Sequence, residues 1–354
     1  MQISKGWQWV VRSVLLLVIV ALGSNYLIRR ALNSPPKPQT ASTIESKEPP
    51  ANQAAFRTAL EAGNQALRDG RYTDALDRFL EAERSGERLS DEQYEALKNA
   101  RLQLAGIYEA GGDNPAAQRV YQVLTDCALQ QGYAQSRAKQ WERALARAQD
   151  SEDLSAHLTD RRGALQYATG LSASSLVELQ RYPEAEQAQQ RMIDYLKSTA
   201  DGNDWAFPSN YESLAEIYSK AQDWPAFENT LLLAIAASDR TLANPPAENG
   251  LMISDATRRT KNVAEYNLVI ACYREGNTES ALSKAGDFFS AYPEGPQDPM
   301  HPIGVQFHSR DFASLAVTIA TEAKRPQDVD YWRQKGGVPQ GNFYVIALHP
   351  DNPR

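Results

Sequence analysis

A chain of 354 residues with 44 acidic and 37 basic side chains carries a formal charge of −7 and a pI near 5.3. Nucleic-acid surfaces need clustered Lys and Arg to meet phosphates, and no such cluster is present, so no nucleic-acid partner is expected. Cys127 and Cys272 stand far apart without Cys-x-x-Cys or Cys/His spacing; this implies neither a disulfide framework nor a zinc site and reads each thiol as filling for a small apolar position.

Residues 1–12 form a basic tail with Lys5 and Arg12, and an uncharged run, SVLLLVIVALGSNYLI, extends from Ser13 to Ile28. It is short against the ~20 residues of a spanning helix, but Trp7, Trp9, Val10 and Val11 lengthen it if Arg12 snorkels. Trp7 and Trp9 at one end and Tyr26 at the other suit the two interfaces. Apolar residues resume at Tyr26, Leu27 and Ile28, and Arg29 and Arg30 come next like a stop. Residues 13–32 are therefore read as a single transmembrane anchor; the rival is a cleaved signal peptide with Ala21 and Gly23 before the cut. Arg29, Arg30 and Lys37 outnumber Lys5 and Arg12, which by the positive-inside rule favours the cytoplasm. A short basic start before an apolar core is also how exported domains begin. Across 33–54, Pro35, Pro36, Pro38, Pro49 and Pro50 stand among Ser and Thr, an extended spacer reaching on the order of 60 Å at about 3.1 Å per residue. A spacer that lifts a module clear of lipid places the downstream helices on the extracytoplasmic side, in a bacterial envelope.

Residues 55–335 repeat a helical hairpin whose clearest copy is GNQALRDGRYTDALDRFLEA, Gly63 to Ala82. A helix closes at Gly70, where a left-handed residue suits a terminus, and a second opens around Tyr72 and Thr73. Gly63 and Ala75 let the two approach closely. Tyr72, Phe79 and Ala82 form a face that a neighbour must cover. Ala105, Tyr108, Gly112, Ala117 and Tyr121 keep the same register. Further copies are anchored on Ala173, on Ala215 and on Val269, the first two with Gln180 and Gln222 in place of the turn glycine; a weaker one runs from Phe312 to Trp332. Pro115, Pro183, Pro225 and Pro326 each lie ten residues after Ala105, Ala173, Ala215 and Ala316. Proline is tolerated in the first turn of a helix and costs ~3 kcal/mol inside it, so the four mark second-helix starts.

These residues resemble the tetratricopeptide repeat family. The resemblance implies an all-α, right-handed superhelical solenoid whose first helices line a concave, protein-binding groove. Spacing departs from the family's ~34 residues: Gly63 to Ala105 is 42, which a lengthened first helix from Asp91 to Ala110 absorbs. The 68 residues from Ala105 to Ala173 leave room for a degenerate hairpin packed through Trp141, Ala144, Leu145 and Ala148. Long connections are expected between Asp239 and Thr260 and between Tyr292 and His308, both rim insertions. Residues 336–354 are read as a tail.

No Gly-x-Ser-x-Gly elbow and no Gly-rich phosphate loop occurs. His301 and His308, with Asp298 in the same Pro-rich loop, give no convergent metal geometry, and neither metal nor cofactor is expected. Positions beside the helix anchors should face the groove: Arg57, Asn64 and Arg68; Asn99 and Gln103; Glu212, Glu216 and Lys220; Tyr266, Asn267 and Arg274. Of these, Arg57, Asn64, Arg68, Asn99, Gln103, Tyr266, Asn267 and Arg274 are the candidate partner-binding set. The expected function is a membrane-anchored scaffold, not an enzyme, taking a peptide or helix of another protein. The alternatives are an envelope hydrolase using groove carboxylates and a structural subunit of a membrane assembly.

Overall fold

The computed structural model describes residues 50–85, 88–199, 205–247, 249–292 and 309–337. They belong to one unit, Glu48–Ile346; the other, Met1–Lys47 with Ala347–Arg354, lies wholly outside the described residues, as do the anchor run, the loop holding His301 and His308, and nearly all of the tail. Thirteen helices occur among the described residues, and no strand: α1 (Pro50–Arg68), α2 (Tyr72–Arg84), α3 (Asp91–Ala110), α4 (Asn114–Arg137), α5 (Trp141–Ser155), α6 (Arg162–Glu178), α7 (Tyr182–Thr199), α8 (Phe207–Ala221), α9 (Trp224–Ala243), α10 (Gly250–Arg274), α11 (Thr278–Ala291), α12 (Ser309–Glu322) and α13 (Pro326–Gly336).

One turn, used seven times, joins helix pairs. Gly70, Gly112, Lys139, Gln180, Gln222, Gly276 and Lys324 all have positive φ, between 57° and 83°. The next N–H then reaches back to the last turn of the helix just ended, as Arg71 N does to Ala66 O (2.9 Å), Gln140 N to Gln135 O (2.9 Å) and Asp223 N to Tyr218 O (2.9 Å). That long backward bond satisfies carbonyls the helix end would leave orphaned. Gln180, Gln222 and the two lysines adopt a conformation glycine takes more cheaply, so the turn reflects packing as well as local preference.

Six of the seven second helices begin in one of two ways; α5, which follows Gln140, has no side-chain cap. Asp113, Asp223 and Asn277 accept the N–H three residues on, from Ala116, Ala226 and Ser280, at 3.1 Å each, a side-chain N-cap. Where arginine stands there instead, it pairs with an acid three residues on: Arg71 with Asp74 at 2.8 Å, Arg181 with Glu184, Arg325 with Asp328. The acid then also sits in the first helical turn, where negative charge is favoured.

Every helix packs on the next in chain order, and α1 also touches α3, α4 touches α6, α6 touches α8 and α8 touches α10. This is the nearest-neighbour contact pattern of a solenoid, in which no hairpin buries its face alone. Phe79 and Ala82 of α2 are fully buried, and the Phe79 ring alone contributes on the order of 2–3 kcal/mol. Gly63 is required beside it, because a Cβ there would lie 2.4 Å from Phe79 Cε1.

The 68-residue interval contains a register change rather than a separate hairpin. Gly112 and Lys139 are only 27 residues apart, against 42 from Gly70 to Gly112 and from Gln180 to Gln222. Helix α4, 24 residues long, therefore serves twice. Its amino-terminal half, with buried Ala117, Tyr121 and Leu124, is the second helix to α3; its carboxy-terminal half is the first helix to α5. Trp141, Ala144, Leu145 and Ala148 lie in α5 as expected, with all but Trp141 buried. The apolar core divides at the same place: one block runs from Phe56 to Leu158 and the other from Leu145 to Ala271. Buried polar side chains fill the seam. Arg147 of α5 meets Asp91 at 2.7 Å and Glu95 and Asp150 at 3.1 Å, with its guanidinium 3.7 Å above the Tyr94 ring.

Two other expectations change. Pro326 comes two residues after its positive-φ residue Lys324, whereas Pro115, Pro183 and Pro225 come three after theirs, so the last hairpin is offset by one residue. The connection expected from Asp239 to Thr260 is mostly helix: α9 runs on to Ala243 and α10 starts at Gly250. The added turns of α10 bury Ser254 and Thr257 and expose Leu251 and Met252, so apolar periodicity does not reveal them.

Candidate functional site

Positions 13, 9, 6 and 2 residues before the turn residue share one face of a first helix, at i, i+4, i+7 and i+11; the face is turned outward except nine residues before the turn on α6 and α12, where Leu171 and Leu315 are buried. On α1 this holds Arg57, Asn64 and Arg68, with Arg57 and Arg68 exposed and Asn64 half-buried; on α3 it holds Asn99 and Gln103, both exposed. The structure keeps these five together on the α1 and α3 pair. Arg68 is tied along its own helix to Gln65, Nη2 to Oε1 at 2.7 Å.

Asn267 and Arg274 sit on α10, with α4, α6 and α8 between them and the first group in the chain, so the expected set falls into two groups along the row of first helices. Both are half-buried, and the Arg274 guanidinium lies 5.5 Å from the centre of the Trp224 ring. Tyr266 is a correction in placement: it is buried, its ring 5.5 Å from that of Phe312, and it packs α10 on α12 instead of facing solvent.

The larger preformed face is built by α4, α6, α8 and α10. Tyr133 of α4 and Tyr167 of α6 stand on it, 38% and 61% exposed. They occupy the positions that Asn64 and Arg57 hold on α1, six and thirteen residues before the turn. Tyr133 is missed because α4 does not look like a first helix, and counting back from Lys139 would find it; Tyr167 is within reach of the sequence, standing as far before Ala173 as Arg57 stands before Gly63.

Between the two tyrosines lies a cleft of about 180 Å³, with Gln166 and Gly170 of α6 and Ser209 and Ser213 of α8 in its walls. Its floor is a buried amide pair: Gln189 of α7 donates through Nε2 to Asn210 Oδ1 at 2.8 Å, and Asn210 donates through Nδ2 to Ala206 O at 2.8 Å. Ser209 donates to Ala206 O at 3.1 Å and Ser213 to Ser209 O at 3.0 Å. No wall residue is charged. Burial raises the Tyr133 phenol above its ordinary value, with the neighbouring Tyr167 adding to it. A wider depression of about 460 Å³ on α1 and α2 has charged walls; Arg71 there pairs with Asp69 and Asp74, and Arg78 with Glu81.

Beyond the cleft on α8, Glu216 and Lys220 continue the exposed stripe, while Glu212 turns half-buried toward Thr260 of α10. Burial first, and then the like charge of Glu216, pushes the Glu212 carboxyl up to about 7, against the opposing pull of a hydrogen bond with Thr260. Among the described residues no group of three or more His, Cys, Asp or Glu is placed to hold a metal, and no helix is long and apolar enough to cross a membrane.

No family model matches the chain, and no curated protein matches it. Solved structures it is similar to include a tetratricopeptide repeat protein from Parabacteroides merdae (13% identity, 83% of this chain and 96% of that one, TM-score 0.33). BtubC from P. vanneervenii (13%, 83% and 96%, TM-score 0.38) and the apo form of RapI (9%, 79% and 86%, TM-score 0.42) are others. At those scores the likeness adds nothing to the geometry above, and the solenoid rests on this chain's own turns and contacts.

Proposed function

We propose that this chain is a scaffold of tetratricopeptide type that binds an extended segment or helix of another protein along the face of α4, α6, α8 and α10. The observation that supports it is the row itself. Four first helices, each touching the next, hold Tyr133, Tyr167, Lys220 and Asn267 on rigid elements, so a partner meets a surface that needs little ordering. Residues 13–32 are the transmembrane anchor in this reading, with 33–54 as the spacer that raises the effective concentration of the face near membrane partners on the extracytoplasmic side. Binding, not catalysis, is the activity. A photo-crosslinking side chain at Lys220 or Asn267, compared with one at exposed Glu142 on α5, is the test in cells. Discrete adducts from the first two and none from the third are expected; adducts from Glu142 alone would refute the assignment.

A hydrolase working through carboxylates is the second reading, favoured by Glu212 held near neutrality beside Glu216. Loss of a hydrolytic activity in Glu212→Gln, with Lys220 and Asn267 adducts absent, would decide for it.

A further inference from the structure

The cleft between Tyr133 and Tyr167 has a chemistry of its own. Its walls are uncharged, so a cationic or anionic ligand would lose its hydration and meet no counter-charge. Its size lies below the ~300–1,000 Å³ of sites for drug-sized ligands, which limits the occupant to about one ring. Among the described residues, both tyrosine hydroxyls, the Gln166 amide and Gln189 Oε1 find no hydrogen-bond partner; Gln189 is 2% exposed and its Nε2 is committed to Asn210. The two serine hydroxyls have their protons committed to backbone carbonyls and offer lone pairs only.

An occupant must therefore be neutral and ring-sized. It must bear several hydroxyl groups that both donate and accept, and offer an apolar face to the exposed Tyr167 ring. A proline or aliphatic side chain would leave the Tyr133 hydroxyl, the Gln166 amide and Gln189 Oε1 without partners on desolvation, at ~1–3 kcal/mol each. We infer that this cleft is a binding site for one neutral pyranose unit of a sugar or glycan. Its hydroxyls donate to Gln189 Oε1 and to the oxygens of Ser209 and Ser213 and accept from the Tyr133 hydroxyl and the Gln166 amide, while its C–H face rests on Tyr167. The space beside Gly170 is open, since a Cβ there would meet nothing within 4 Å.

The test is saturation-transfer NMR on the full chain with glucose, galactose and N-acetylglucosamine, against glucuronate and glucosamine as charged counterparts. Transfer to at least one neutral sugar is expected, with affinity falling roughly tenfold or more in Tyr167→Ala and in Gln166→Ala. It should be unchanged in Tyr331→Ala, which removes an exposed tyrosine on α13. Far-ultraviolet circular dichroism of each variant checks that the helices persist. Transfer from none of the neutral sugars overturns the inference, and so does stronger binding of a charged counterpart or equal binding by Tyr167→Ala. Failure of the peptide reading would show separately, as the absence of adducts at Lys220 and Asn267, which lie outside the cleft walls.

Discussion

Replacing Gly132 by alanine should destabilise the seam where the solenoid changes register. A Cβ at 132 would stand 2.6 Å from Leu171 Cδ2, 3.2 Å from Arg147 Cβ and 3.4 Å from the Ala144 carbonyl oxygen. Leu171 is 2% exposed and fully packed, so its methyl group has no vacant volume to enter. Overpacking of this kind costs ~1–3 kcal/mol. Against it, exchanging glycine for alanine inside a helix gains ~1 kcal/mol. The gain can be measured alone at Gly106 of α3, which is exposed and would place a Cβ with nothing within 4 Å. Gly106→Ala is therefore expected to be slightly more stable than wild type and Gly132→Ala less stable, with about 1–3 kcal/mol between the two. Urea unfolding monitored by far-ultraviolet circular dichroism supplies the difference, and amide hydrogen exchange localises it to α4, α5 and α6. Equal stability of the two variants would refute the double role assigned to α4.

Arg101 is fully buried, with Nη2 held by Glu83 at 2.6 Å and Phe79 O at 3.0 Å, while its Nε and Nη1 have no hydrogen-bond partner. Glu83→Ala, which strands that charge, should cost ~3–5 kcal/mol, and Arg101→Met markedly less; the reverse order in thermal melts would show that Glu83 does not compensate the guanidinium. Gln222 holds φ at 60°, so Gln222→Gly should gain up to ~1 kcal/mol and raise the melting temperature, and a fall would contradict the turn. Glu212 has its folded pKa raised from 4.5 to about 7. Its stabilising contribution is therefore fully present below pH 4.5 and lost as pH rises toward 7. At ~1.36 kcal/mol per pH unit the loss is bounded at ~3 kcal/mol, and partial access of water to a half-buried carboxyl brings it to ~1–2 kcal/mol. Glu212→Gln should flatten the dependence of unfolding free energy on pH over that window; an unaltered slope would place the effect elsewhere.

Much of the architecture is set by short-range chemistry, and that part is legible in the sequence. The hairpin of Gly63 to Ala82, the lengthened helix from Asp91 to Ala110 and the second-helix starts near Pro115, Pro183 and Pro225 obey local rules. A turn needs a left-handed residue, a helix start accepts proline, and an amphipathic face repeats with the helical period. Register alone puts Gln180 and Gln222 at turns, and their φ angles agree.

What the tertiary structure alone decided is which helix plays which part. Helix α4 looks like a second helix along its first half and becomes a first helix in its second half only because α5 and α6 pack on Gly132 and its neighbours. That reassignment brings Tyr133 to the same cleft as Tyr167 and coincides with the division of the core into two blocks. Tyr266 is a packing residue for the same kind of reason, since an aromatic side chain shows its facing only once Phe312 has filled the space against it. Local sequence determines that a helix forms and where it turns. The face that reaches a partner is determined by burial against helices distant in the chain, and burial is a property of the assembled stack.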